Sequence, residues 1–293
     1  MELAHFTEQV GTIRIHYVSQ GEGPLVVLLH GFPEFWWSWR HQLPLLADAR
    51  FRAVAPDLRG YNDTDRTGPY DLDTLAGDVV NLIGHLGAER ATIVGHDWGG
   101  VIAWYLAAKH PDVCERVVVL NAPHPAVFAH VIRSNPRQLQ RSWYMFFFVL
   151  PWLPEARLLK DDARIMHRIY RANAVNRSAF SDEVVRPFRE AILKPGAAAA
   201  ALGYYRAAIW GGFSQPRQLS GFPLIKQPAL LLWGRNDTAL SYEDLVPPTV
   251  LWATDLWIEP IEGAGHFVHQ ERPTEVNQAL MRFLWRPGSS RPP

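Results

Sequence analysis

The residues with the most chemical content stand together at Val94-Gly95-His96-Asp97-Trp98-Gly99-Gly100, between an apolar run and a helix-length segment. Small residues two positions either side of a reactive side chain mark a strand-to-helix turn so sharp that larger neighbours would collide. The residue presented there is Asp97. A carboxylate needs no deprotonation at neutral pH, and it can displace a leaving group at an sp³ carbon to give an alkyl ester. The plainer reading, an aspartate capping the next helix, leaves the flanking glycines unexplained.

An alkyl ester must then be hydrolysed, which takes a base, an acid to orient it and donors for the oxyanion. His266, in Glu262-Gly263-Ala264-Gly265-His266-Phe267, lies in a loop before the final helix, where the base of the chain order nucleophile, acid, base belongs. His269 is its rival among the 12 histidines, and is expected to stabilise the local turn instead. Asp237, in Trp233-Gly234-Arg235-Asn236-Asp237, follows an apolar run and is the acid expected to orient the imidazole. The other common place for that acid holds Asn121, which cannot be an anion. Backbone amides of Trp98 and of Phe32, in His30-Gly31-Phe32-Pro33, are the expected oxyanion donors. His30 reads as a loop brace, since no cysteine or carboxylate cluster accompanies it as a metal site would need.

These residues need strands and helices to hold them. Glu2–Gln9 and Thr12–Val18 alternate about Val10-Gly11 as a hairpin. Leu25–Leu29 is apolar on both faces, and such runs recur at Arg52–Ala55, Ala91–Val94, Val117–Leu120 and Ala229–Trp233. Between them lie helix-length segments at Trp39–Ala47, Asp73–Leu86 and Trp98–Lys109. The alternation predicts an α/β fold, a mostly parallel sheet flanked by helices. From Pro125 to Phe222 the strand runs stop, and amphipathic helices are predicted at Pro136–Phe148, Ala163–Ala174, Ser181–Leu193 and Ala197–Trp210, with Ser181 as a cap. An all-helical lid over residues 125–222, inserted in a core of residues 1–124 and 223–293, follows. A last helix, Pro273–Trp285, docks through Val276, Leu280, Phe283 and Leu284, and the Pro/Ser/Gly-rich tail 286–293 is expected to fray.

Composition narrows the partners. Twenty-nine basic and 29 acidic residues give zero net charge, so neither nucleic acid nor an acidic membrane is expected. Only 4 of the cations are lysines. Cys114 is the sole cysteine, which excludes an intrachain disulfide. The N-terminus lacks a signal-peptide pattern and no apolar stretch is long enough to span a bilayer, so a cytoplasmic protein is expected.

The set HGFP, GHDWGG, GRND and GAGHF resembles the α/β-hydrolase superfamily and, within it, the soluble-type epoxide hydrolases. The likeness spans nearly the whole chain, including Pro56–Tyr61, Asn121–Pro125 and the lid; Asn62 stands where relatives usually carry Gly, and Asn also tolerates left-handed geometry. It implies hydration of an epoxide to a vicinal diol with neither metal nor organic cofactor. Two lid tyrosines would hydrogen-bond the epoxide oxygen: Tyr144 in Ser142–Phe147, and Tyr205 in Leu202–Arg206, with Tyr204 the competing register. Phe32, Trp98, Phe35, Trp36, Trp143 and Phe146–Phe148 are expected to wall an apolar site for an aryl or alkyl epoxide. Haloalkane dehalogenase is the near alternative. It would need two N–H donors for halide: the Trp98 indole and a lid tryptophan, Trp143, Trp152 or Trp210, since Phe32 offers no side-chain donor. A fluoroacetate dehalogenase would need arginines where Val101–Tyr105 stands. A silent receptor on the same fold would not need the full catalytic set. A homodimer stays open.

Overall fold

Turn chemistry starts the sheet. A computed structural model of the chain describes residues 2–212 and 222–286. In it β1 (Ala4–Val10) and β2 (Ile13–Gln20) pair antiparallel across a turn in which Gly11 has φ 56°. The five runs apolar on both faces become β3 (Leu25–Leu29), β4 (Arg52–Pro56), β5 (Ala91–His96), β6 (Cys114–Leu120) and β7 (Ala229–Gly234), all parallel to one another. An edge strand, β8 (Leu256–Ile261), completes the order β1-β2-β4-β3-β5-β6-β7-β8. Its half-exposed residues and Pro260 hide it from a search for buried runs, and an edge is where a strand tolerates proline.

Helices cover both faces. α1 (Gln42–Asp48) packs on one face with the last helix, while α2 (Leu72–His85) and α3 (Trp98–Lys109) lie on the other. Between β6 and β7 the described residues are helical: α4 (Pro125–Ser134), α5 (Pro136–Arg141), α6 (Trp143–Phe148), α7 (Leu153–Ala163), α8 (Ile165–Ala172), α9 (Asp182–Leu193) and α10 (Ala197–Ala207). The expected helix Pro136–Phe148 is broken at Ser142, because buried Gln138 turns the corner: its amide donates to the Ser142 hydroxyl at 3.0 Å and to the Ala239 carbonyl at 2.8 Å. α4 and α7 are additions to the sequence reading. A helical break at Lys160–Asp162, with Asp161 and Asp162 left-handed, blurs the apolar period of α7. Ser181 caps α9 as expected, through the Val184 amide. After β7 come α11 (Tyr242–Leu245), α12 (Val268–Glu271) and α13 (Pro273–Leu284), the last burying Val276, Leu280, Phe283 and Leu284. The end of the expected lid at 213–221 and most of the tail, 287–293, lie outside the described residues.

Two buried clusters, one on each sheet face, supply the packing; each fully buried Leu, Ile or Phe contributes about 1.5–3 kcal/mol. Polar contacts tie α10 to the loop after β4 too. The Tyr204 hydroxyl donates to the Arg59 carbonyl at 2.7 Å, and Arg59 forks onto Asp78 with two bonds of 2.6 Å. Among the described residues no helix is long and apolar enough to cross a membrane.

Candidate active site

Parallel strands that end at one edge of the sheet bring their following loops together. The loops after β3, β5 and β7 and the loop before α12 carry Phe32, Asp97, Asp237 and His266 respectively. Asp97 sits at φ 50°, ψ −118°, with no side-chain cap to α3. The tightness of this turn is measurable: a Cβ on Gly95 would lie 2.2 Å from the Gly99 carbonyl oxygen, and one on Gly99 2.1 Å from that of Leu29. A Cβ on Gly31 would fall 2.4 Å from the Asp97 Cβ. These glycines are required by contact distance, as the spacing predicts.

The Phe32 amide donates to Asp97 Oδ1 at 2.8 Å, and His266 Nε2 stands 3.5 Å from Asp97 Oδ2. On its other side His266 Nδ1 meets Asp237 Oδ2 at 2.7 Å. Asp237 is fully satisfied: its Oδ1 accepts the Ala239 and Leu240 amides at 2.8 and 2.9 Å, and its Oδ2 also accepts Asn121 Nδ2 at 2.7 Å. Asn121, at the alternative acid position, thus donates to Asp237, and its Oδ1 accepts the Gly234 amide at 2.9 Å. Trp98, whose amide is the other expected oxyanion donor, is the first residue of α3.

Electrostatics follow from this packing. Burial alone would raise the Asp97 carboxyl, but the hydrogen bond and charge of His266, the His96 ring and the Phe32 amide hold it below the ordinary carboxylate value. Asp237 is lowered likewise: His266 and the donated bonds of Asn121 and Leu240 outweigh its burial. Burial would lower His266, yet Asp237 and Asp97 raise it well above the usual imidazole value. His266 thus stands between two carboxylates that favour its protonated form.

The sequence reading does not single out Glu34 and His96, which brace the site from beneath. His96 directs Nδ1 at Glu34 Oε2 (2.7 Å) and Nε2 at the His266 carbonyl (2.9 Å); Glu34 further accepts the Gly31 amide at 3.1 Å and the Gln270 amide at 2.7 Å. Both ring nitrogens of His96 face oxygen acceptors, so the histidine at the variable position of the turn holds the base loop. The signal was the glutamate directly after His30-Gly31-Phe32-Pro33. His30 braces its loop as expected, its Nε2 accepting the Leu58 amide at 2.9 Å and its Nδ1 reaching the Gly31 carbonyl. His269 does not brace the turn through its ring: among the described residues neither ring nitrogen has a hydrogen-bond partner, and the buried ring packs on Trp39 at 4.5 Å with Nε2 3.5 Å from Glu34 Oε1. Asn62 adopts the left-handed φ of 42°. Cys114 is buried and its thiol pushed up to about 12, so it is no nucleophile.

A small cleft of about 50 Å³ opens above Asp97, walled by Trp98, Val101, Phe128, Tyr144, Met145 and Tyr205, among others. Tyr144 and Tyr205 have ring centroids 6.2 Å apart, and Tyr205 crosses Trp98 edge-on at 5.1 Å. Burial first, then the charge of Asp97, raises both phenols above their ordinary value, so both remain O–H donors. Tyr204 points away, to Arg59. The expected aromatic wall is only partly realised. Phe32 and Phe148 pack against Tyr205. Phe35 instead packs on Phe188, Trp36 packs on His5, and Trp143 and Phe146 are exposed to solvent at 64% and 48%. An amphipathic helix shows one face to the site and the other outward, and α6 turns Trp143 outward where it turns Tyr144 in. Val101, Ala122, Phe128 and Leu240 are cleft residues missed in sequence, although Val101 and Leu240 lie within four residues of Asp97 and Asp237.

The family model for the alpha/beta hydrolase fold matches residues 24–273, and the chain belongs to that family. It is a hydrolase of the kind that resembles epoxide hydrolases. "Epoxide hydrolase 3" of Xenopus tropicalis is 39% identical over 286 residues, covering 93% of this chain and 75% of that protein. "AB hydrolase superfamily protein YfhM" of Bacillus subtilis (strain 168) is 36% identical over 278 residues, covering 93% and 94%. Among solved structures, that of a Bacillus megaterium epoxide hydrolase in complex with an inhibitor superposes with a TM-score of 0.86 at 27% identity, covering 95% of this chain and 99% of that one.

Proposed function

We propose that this hydrolase hydrates an apolar aryl or alkyl epoxide to a vicinal diol through an ester on Asp97. One observation carries the reading: two protonated tyrosines, half-buried Tyr144 and buried Tyr205, share the cleft with an ionised Asp97. The names of the relatives support it. In the first half-reaction an Asp97 oxygen attacks an epoxide carbon and the C–O bond breaks. The freed oxygen takes a proton from Tyr144 or Tyr205. The His266 imidazolium then restores the tyrosine proton, leaving the neutral imidazole that ester hydrolysis requires. Esterification also removes the Asp97 charge that helped hold that proton. In the second half-reaction His266 deprotonates a water that attacks the ester carbonyl, and the Phe32 and Trp98 amides receive the oxyanion. The tetrahedral intermediate collapses and His266 returns its proton to the departing alkoxide oxygen, so the diol leaves with one water consumed. The carboxyl proton of regenerated Asp97 then passes to the neutral His266.

The halide alternative is disfavoured by its second donor: Trp143, Trp152 and Trp210, the lid tryptophans that would complete a pair with the Trp98 indole, are all exposed. We take residues 1–124 and 223–293 as the core and 125–222 as the lid that closes this cleft. A paired assay with styrene oxide and 1-bromobutane tests the reading. Diol without bromide is expected, and bromide release alone overturns it.

A further inference from the structure

Zero net charge conceals an uneven distribution. On the lid, a groove of about 690 Å³ is lined by Arg157, Lys160, Arg164, Arg168, Arg171 and Arg189, against two carboxylates, Asp161 and Asp182. None of the six cations stands in an ion pair among the described residues; Asp182 faces His167 instead, at 3.4 Å. Arg189 uses Nε and Nη2 on the Asp162 carbonyl, which fixes it across the left-handed turn of α7. His167 registers the local field: burial lowers it, and Arg189, Arg171 and Arg164 lower it further against the opposing Asp182. A solvated protein face interleaves charges of both signs, whereas this concavity sets six cations against two carboxylates and leaves most of their repulsion uncompensated. Guanidinium groups present forked donors that match phosphate oxygens. The volume lies in the range of small-molecule sites, roughly 300–1,000 Å³, and a concave shape suits a compact solute better than a bilayer surface.

The groove is also connected. Arg164, Arg168 and Arg171 recur at helical spacing along one face of α8. From the same segment the Tyr170 hydroxyl donates to the Pro33 carbonyl at 3.2 Å, and the Asn173 carbonyl accepts the His266 amide at 2.9 Å.

We propose that this groove binds a small phosphate-bearing polyanion of about triphosphate charge, and that α8 couples its occupancy to the loops that carry Phe32 and His266. This goes beyond the epoxide reading and does not depend on it. Calorimetric titration of the full chain with inorganic tripolyphosphate should give saturable one-to-one binding that weakens as salt rises. Arg168→Ala with Arg171→Ala should weaken it about tenfold or more, while Arg137→Ala with Arg141→Ala, exposed arginines outside the groove, should leave it unchanged. Tripolyphosphate should slow amide exchange at residues 264–267 at least twofold in the wild type and not in the groove variant. Absence of saturable binding, or equal weakening in both variants, overturns the site. Capture by phosphatidylglycerol vesicles without tripolyphosphate binding overturns it in favour of a membrane face. Binding that leaves exchange at 264–267 unaltered overturns the coupling.

Discussion

At the scale of single residues, the chemistry rests on which side chains carry charge before substrate arrives. In the proposed reaction Asp97, held below the ordinary carboxylate value, attacks carbon with no preliminary proton transfer, whereas ester hydrolysis needs His266, held well above the usual imidazole value, to lose its proton first. The two halves should therefore separate by mutation. Asp97→Ala is expected to lower turnover by about four orders of magnitude or more. His266→Gln should still form the ester, so intact-mass spectrometry should find the protein heavier by one substrate and stalled; an unmodified mass with normal turnover would remove His266 from the base role. The tyrosine register is tested by contrast. Tyr144→Phe with Tyr205→Phe should reduce epoxide opening about 10²–10⁴-fold. Tyr204→Phe should instead cost about 1 kcal/mol of stability, from the lost bond to Arg59, with kcat within a few-fold of wild type. Thermal melts and initial rates on the same samples separate the two roles.

Elements place these side chains within the tolerances the chemistry needs. The turn between β5 and α3 works because Gly95 and Gly99 let backbone approach backbone. Gly95→Ala puts a Cβ 2.2 Å from a carbonyl oxygen, and should yield no cooperative native melt; a stable, active variant would mean the turn can open. Asn121, at the end of β6, joins Asp237 to β7 through the Gly234 amide. Outer partners of this kind typically change function 10- to 100-fold, so Asn121→Ala should lower kcat about tenfold with little change in KM, and an unchanged kcat would leave Asn121 a mere strand cap. The buried runs of β3 to β7 were legible because a strand covered on both faces has no polar alternation. β8 and α7 were not, one for being half-exposed and the other for breaking its period at Lys160–Asp162.

For the whole molecule, the same ionisations link stability to pH. His266 has a folded-state value raised well above the 6.5 of an ordinary histidine, so its contribution is complete below 6.5 and is lost as pH rises through the folded value. Asp97 and Asp237 are lowered from 3.8, so theirs is present above 3.8 and is lost as pH falls through their folded values. The wild type should exceed His266→Gln in thermal midpoint most at mildly acid to neutral pH, with the margin shrinking in alkali. A margin independent of pH would mean that His266 is neutral in the folded enzyme. Charge clustering is a second property of the whole. Net charge spoke against polyanion partners, but it sums over a surface and is blind to six cations gathered in one groove.

Sequence alone determined the fold class and the reactive turn. Both arise from local rules: apolar runs can only be buried, and glycines at fixed spacing permit only one kind of bend. Tertiary structure alone decided which neighbours share a cleft. Tyr205 walls the cleft above Asp97 while the Tyr204 hydroxyl donates to Arg59, although the two are adjacent in a helix, and Trp143 points to solvent beside an inward Tyr144. Rotation of a helix by one residue, about 100°, is set by what packs against it across the chain, and no local pattern carries that information.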